Sequence, residues 1–406
     1  MVFLFICITF TTAAILPALN NGGFVTRFQG ETFYIADDLN YEDHTEQGAL
    51  YRIQPNGDFL KLADTGGSQI WSDNKSIFIS SGYKIYQINL KTETIKDILY
   101  GSINYLNPYN NTLYYSAESV PDAAGESYLS LYKRDLKTSK DEIIAGGSEN
   151  RKVIFITAIK DTLYYYETSG DTITIYSYDT NGGKTKKITV ETPALPHDDA
   201  NPLLLTQLSA CGNWLVYSIG VYQESDDYFY GDLYRIMPDG TQKSIIKINN
   251  KSWGNISFDN FTALGECIFY KSSNTSGEYY KINPDMSQVQ KLNENVYKII
   301  DAIGGYLYYQ TAAGDIHRCK SDMSRDALIV KASDLPNFKT DNDYFDYKIN
   351  VLNDTMYFNA SVWGYRDGYD YREQFIDSTF NRVKLDGTGL QTLVKITSQI
   401  DEINKQ

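Results

Sequence analysis

The chain is poor in the residues that build most metal and nucleophile sites. It holds 3 His and 4 Cys in 406 residues. His44, His197 and His317 lie far apart in sequence, which leaves little material for a His-built metal site. Four Cys cannot staple a chain of this length as a disulfide scaffold. There is no basic block either: 37 Lys and Arg face 51 Asp and Glu, for a net charge of −14. An acidic surface repels phosphate, which argues against nucleic acid and anionic lipid as partners. No Gly-x-Ser-x-Gly, His-Glu-x-x-His or Cys-x-x-Cys occurs, so no nucleophile elbow, zincin helix or redox pair is announced. No amphipathic helical stretch is visible, which disfavours α/β folds.

Long apolar runs are scarce, with one exception. Val2 to Leu16 is uncharged and apolar. It is shorter than the about 20 residues that a membrane span needs. It fits the apolar core of a secretory signal, with Ala14 or Ala18 as the small residue at the cleavage point, although no positive residue precedes it. A buried first strand is the alternative. Export implies a secreted or cell-surface protein. Cys7 then leaves with the signal, and Cys211, Cys267 and Cys319 remain, an odd number that fits buried structural thiols.

Tyrosine is abundant, at 35 residues, and it is not scattered. One phrase recurs, two or three large apolar or aromatic residues in a row, ending at Tyr34, Phe78, Tyr115, Tyr165, Tyr217, Tyr270, Tyr309 and Phe358. The spacing between these ends runs from 37 to 53 residues. A second phrase follows each, as in Leu50-Tyr51-Arg52-Ile53, Leu131-Tyr132-Lys133-Arg134 and Leu233-Tyr234-Arg235-Ile236. Then comes a turn, often Asn56-Gly57, Asp239-Gly240 or Asp386-Gly387, and a short closing strand such as Phe59 to Leu62 or Gln391 to Ile396. Asn-Gly and Asp-Gly between β-rich runs are strong hairpin signals, because both residues tolerate positive φ. A further strand precedes each first phrase, as in Phe24 to Phe28.

Each unit is thus four antiparallel strands. The second strand is dense in large side chains instead of alternating, which suits a sheet covered on both faces, as in radially stacked blades. Four strands every 40–50 residues is the propeller signature. The expected fold is all-β, a single β-propeller of eight blades over residues 20–397. Residues 1–19 form the signal or apolar segment and 398–406 a tail. Seven blades plus an irregular unit is the alternative, because the unit around Phe78 is short.

The last unit, Phe380 to Val394, together with Leu233 to Gly240 and the opening Asn21-Gly22-Gly23-Phe24-Val25, resembles the bacterial relatives of the low-density-lipoprotein-receptor type, YWTD-related propellers. The Tyr-Trp-Thr-Asp core phrase itself is replaced here by Tyr-Tyr and Phe-Tyr. That group is of unknown function as a family. The resemblance implies an exported propeller with a binding role and carries no catalytic residue across.

The connections from second to third strands vary most in length, and they share one face of a propeller. Four are expected to be long loops: Asp37 to Gly48, Ala117 to Tyr128, Val221 to Asp232 and Ser361 to Thr379. The connection Glu191 to Pro202 joins them. Aromatics among carboxylates and a few Arg suit peptide or sugar, since rings stack and polar groups orient. The expected ligand site is centred on Tyr228, Tyr230, Trp363, Tyr365, Tyr369 and Arg372. Against it stands the ordinary reading of such loops as solvated and variable. Asp198-Asp199 and Asp226-Asp227 are paired carboxylates, but no Asp-x-Asp-x-Asp-Gly calcium loop is present, so no metal is expected. No cofactor is expected.

The function expected on these grounds is an exported, monomeric, non-catalytic binding protein for a protein, peptide or glycan. The alternatives are a propeller-fold enzyme acting on carbohydrate or peptide (lyase, hydrolase or cyclotransferase) and a structural protein of the cell envelope.

Overall fold

The computed structural model describes residues 23–397 apart from some connecting stretches. The longer ones are 37–48, 119–127, 193–202, 224–227, 247–260, 272–277, 338–342 and 365–373. Shorter ones fall at 64–66, 68, 73–75, 81–83, 93, 101–102, 110, 160, 286–288 and 293–294.

Among the described residues, thirty-two strands form eight separate four-stranded antiparallel sheets, each built from four consecutive strands. Blade 1 consists of Val25–Phe28, Glu31–Ala36, Ala49–Ile53 and Phe59–Ala63. Blade 2 consists of Gln69–Ser72, Ile77–Ser80, Lys84–Asn89 and Thr94–Tyr100. Blade 3 has Ile103–Tyr109, Thr112–Glu118, Leu129–Asp135 and Lys140–Ala145, and blade 4 has Lys152–Ile159, Thr162–Ser169, Thr172–Asp179 and Lys184–Glu191. Blade 5 has Leu203–Cys211, Trp214–Gln223, Tyr228–Ile236 and Ser244–Ile245, and blade 6 has Phe261–Leu264, Cys267–Lys271, Tyr279–Ile282 and Val289–Lys291. Blade 7 has Lys298–Ile303, Tyr306–Gln310, Ile316–Cys319 and Ala327–Val330, and blade 8 has Tyr344–Leu352, Thr355–Gly364, Gln374–Lys384 and Gln391–Thr397. The only helix among the described residues is a single 3-10 turn, Ala332–Asp334.

The first strands are innermost. Those of blades 3 to 8 touch in turn, that of blade 1 touches that of blade 2, and that of blade 8 returns to blade 1. The ring is therefore a β-propeller of eight blades, the short unit around Phe78 included. We call the end that carries the second-to-third hairpins and the blade-to-blade connections the upper face.

The core is divided among the seams between blades. One cluster joins blades 2 and 3 through Phe78, Ile85, Leu113 and Tyr115, and another joins blades 4 and 5 through Tyr164, Ile175, Leu208 and Ile219. This is why both faces of each sheet are apolar and the second strands carry unbroken buried runs, such as Leu163 to Tyr166.

The tyrosine repeat resolves into cross-strand pairs. Tyr34 faces Tyr51, Tyr115 faces Tyr132, Tyr165 faces Tyr176, Tyr217 faces Tyr234, Tyr270 faces Tyr280 and Tyr309 faces His317. The Tyr165–Tyr176 and Tyr217–Tyr234 rings are stacked, with centroids 5.1 and 5.3 Å apart. Such directly opposed aromatic pairs are the unit of sheet stabilisation. In blade 2 the position is filled by Ile79 opposite Tyr86. The repeat there ends one residue later than the aromatic pattern indicates.

A second device accompanies the pair. In six blades the fourth strand carries one extra residue beside it: Leu62, Ile98, Ile144, Ile188, Ile329 and Leu393. A bulge re-aims a side chain. Each of the six is aliphatic and packs into a seam cluster.

Candidate functional site

The upper face is where the expected ligand residues were placed, and the structure corrects their setting. Val221 to Asp232 is mostly not a loop. In blade 5 the second and third strands stay in register out to Gln223 opposite Tyr228, so Tyr228 and Tyr230 belong to a strand. Likewise Ser361 to Thr379 is largely strand in blade 8. Both hairpins are tall because their strands run nine to eleven residues. In blade 5 the chain admits this with a directly opposed pair of glycines, Gly220 and Gly231. A Cβ on Gly231 would lie 2.3 Å from the Ile219 carbonyl oxygen.

Trp363 is half-buried at the upper end of blade 8, opposite Tyr344 on the first strand. Tyr365, Tyr369 and Arg372 lie outside the described residues, as do Asp198-Asp199 and Asp226-Asp227. Tyr228 and Tyr230 stand on blade 5 and Trp363 on blade 8.

Next to the Tyr344–Trp363 pair, Lys298 on the first strand of blade 7 and Asp346 on that of blade 8 make an ion pair of 2.5 Å. Both are partly exposed, so the pair marks the rim more than it stabilises it. Below it the seam is tied by side chains. Gln310 Nε2 donates to the Phe345 carbonyl at 3.2 Å, and the Tyr347 hydroxyl donates to the Gly314 carbonyl at 2.8 Å. Burial, followed by the nearby Asp315 charge, pushes the Tyr347 hydroxyl well above the usual phenol range.

A second buried polar group sits between blades 4 and 5. Glu191 retains 5% of its surface. Its Oε1 accepts from the Tyr217 hydroxyl at 2.7 Å, from Thr189 Oγ1 at 3.0 Å and from Lys243 Nζ at 3.1 Å. Burial first, and the Glu191 charge second, raise the Tyr217 hydroxyl far above its ordinary value. The phenol therefore stays a donor and holds the carboxylate inside the seam.

Among the described residues no group of three or more His, Cys, Asp or Glu is placed to hold a metal ion. The three described cysteines are free. Burial raises Cys211 and Cys319 to about 12 and lifts Cys267 as well, which makes them poor nucleophiles. No helix of the described residues is long and apolar enough to cross a membrane.

No protein-family model matches the chain, and no curated protein sequence does. Solved structures do match. One from a study of two prolyl endopeptidases, concerned with inter-domain dynamics in catalysis and specificity, superposes with a TM-score of 0.52 at 13% identity. The match covers 86% of this chain and 55% of that one. Oligopeptidase B from Trypanosoma brucei, with covalently bound antipain, gives a TM-score of 0.50 at 9% identity, over 88% of this chain and 54% of that one. Dipeptidyl peptidase 4 from Porphyromonas gingivalis gives 0.49 at 13% identity, over 83% and 57%. This chain spans about half the length of each. At such identities the likeness is one of fold.

The matches to the prolyl endopeptidase and oligopeptidase B structures overturn the expectation of a non-catalytic binding protein.

Proposed function

We propose that the chain is the propeller of a peptide-hydrolysing enzyme. The supporting observation is the superposition of 86% of this chain on a prolyl endopeptidase structure, of which it covers 55%. The sequence has no Gly-x-Ser-x-Gly elbow, so the nucleophile comes from a hydrolase covalently joined to the ring or bound to it. The ring's part is to receive peptide. The Tyr344–Trp363 pair offers apolar ring surface, and the Lys298–Asp346 pair beside it offers both charges for peptide termini and side chains. Export is part of this reading, on the strength of the apolar segment Val2 to Leu16.

The test is to isolate the tagged chain from its own cells with its associated proteins and assay the material with a library of short fluorogenic peptides, X-Pro sequences included. Peptide turnover that co-elutes with the chain, and is blocked by a fluorophosphonate, is the expected result. Absence of any co-eluting turnover, with the ring intact, rejects the reading.

A further inference from the structure

At the upper end of the seam between blades 7 and 8 three polar side chains are shut in. Gln310 keeps 2% of its surface, and Asn337 and Asp377 keep 0%. The two amides are oriented by main-chain carbonyls: Gln310 Nε2 donates to Phe345 at 3.2 Å and Asn337 Nδ2 donates to Ala360 at 3.0 Å. Those bonds fix which side of each amide carries the oxygen. Neither Gln310 Oε1 nor Asn337 Oδ1 meets a hydrogen-bond donor among the described residues. The same holds for both carboxylate oxygens of Asp377. The Lys395 ammonium stands 3.7 Å from one of them, beyond hydrogen-bond reach, on a side chain that is 42% exposed.

The three groups share one corner. Phe345, Val362 and Asp377 lie opposite one another across three adjacent strands of blade 8. Ala360 is two residues from Val362 and so on the same face. Phe345, Ala360 and Val362 pack with Ala332 and Leu335 of the connection that carries Asn337.

All four orphaned atoms are oxygens. Buried acceptors without donors are rare in native proteins, and a buried carboxylate rarer still. A water supplies two hydrogens at most. A hard cation satisfies amide and carboxylate oxygens together, and these are the ligand types it prefers.

We propose that this corner binds a hard cation, held by the Asp377 carboxylate and the amide oxygens of Asn337 and Gln310. The ion ties the connection after blade 7 to the sheet of blade 8. Lys395, being partly exposed, turns out to solvent when the ion enters. A single carboxylate sets the affinity low, about 10⁻⁴–10⁻³ M for calcium, the range of extracellular modules. The inference is independent of the peptidase reading.

Thermal unfolding of the full chain, freed of metal by chelator, tests it. The salts compared are choline chloride, sodium chloride and calcium chloride at equal ionic strength. The midpoint is expected to rise by about 2 °C in about 10 mM of the preferred ion, relative to choline. The sodium and calcium arms tell which ion it is. The rise is expected to vanish in Asp377→Asn and in Asn337→Ala. Equal midpoints of the wild-type chain in all three salts overturn the proposal, and so does a rise that survives both substitutions. If neither variant folds, calorimetric titration of the wild-type chain decides: one ion per chain supports the site, and no saturable heat rejects it.

Discussion

The rings of Tyr34 and Phe380 lie nearly parallel, centroids 3.9 Å apart and planes 10° apart, across the joint between blade 1 and blade 8. That joint has no shared strand, since each sheet is built from its own four consecutive strands. Side chains close the ring instead. Phe24, Tyr34, Phe59 and Tyr357 surround Phe380, and the Phe24 amide donates to Asn350 Oδ1 at 3.0 Å. Phe380→Ala should therefore cost ~3–5 kcal/mol, as for a large core aromatic. Urea unfolding measures it. A loss under 1 kcal/mol would mean that the joint does not depend on this cluster.

Tyr217→Phe should leave the buried Glu191 carboxylate short of one donor. Thr189 and Lys243 remain, so the expected loss is ~1–3 kcal/mol. Chemical denaturation of the two proteins side by side measures it. A variant as stable as the parent would show that the hydroxyl is not what holds Glu191.

The outer turns predict a gain and a loss. In three blades a glycine takes positive φ at the same place in the third-to-fourth turn: Gly57, Gly240 and Gly387. In blade 7 Met323 does so, at φ 66°. Ser139, exposed in the third-to-fourth turn of blade 3, is at φ 59°, and Ser139→Gly should stabilise by ~1 kcal/mol, since only glycine adopts that region freely. Gly240→Ala should destabilise, because its Cβ would stand 2.6 Å from the Ile188 carbonyl oxygen. Melting temperatures moving in the same direction for both variants would refute the account.

Alkali should unfold the ring. Burial holds the Cys211 and Cys319 thiols at about 12 against 9.0, and Tyr165 at about 12 against 10.0. Each folded value lies above the unfolded one. The stabilisation from keeping these groups neutral is complete below pH 9 and is lost as the pH climbs to about 12. Tyrosinate absorbance and circular dichroism should change together over that window. Tyrosines that all titrate near 10, with the fold retained, would contradict the buried setting of the second strands.

If the upper rim of blade 8 receives peptide, Trp363→Ala should raise KM several-fold in the co-purified material and leave kcat nearly unchanged, as for lost uniform binding. A fall in kcat with KM constant would place Trp363 elsewhere in the cycle.

Much of the architecture was legible. The aromatic phrase marks all eight blades and Asn-Gly or Asp-Gly turns mark blades 1, 5 and 8, because strand packing and turn conformation depend on neighbouring residues. The height of the hairpins was not legible. Tyr228 to Asp232 follows the polar run Glu224 to Asp227, and Gln374 to Thr379 ends in Asp-Ser-Thr, so both read as loop. They remain strands because long partners in the same blade pair with them. The buried Asp377, Asn337 and Gln310 escaped notice for a related reason. A lone polar residue in a polar segment looks solvated until the adjacent blade covers it.

The sequence alone determined the repeat, the strand count per unit and the all-β class, since each rests on alternation and turn chemistry within a few residues. Tertiary structure decided how the ring closes, which polar groups are buried, and where the rim aromatics stand. Those follow from pairings such as Phe24 with Asn350, 326 residues apart, which no local pattern records.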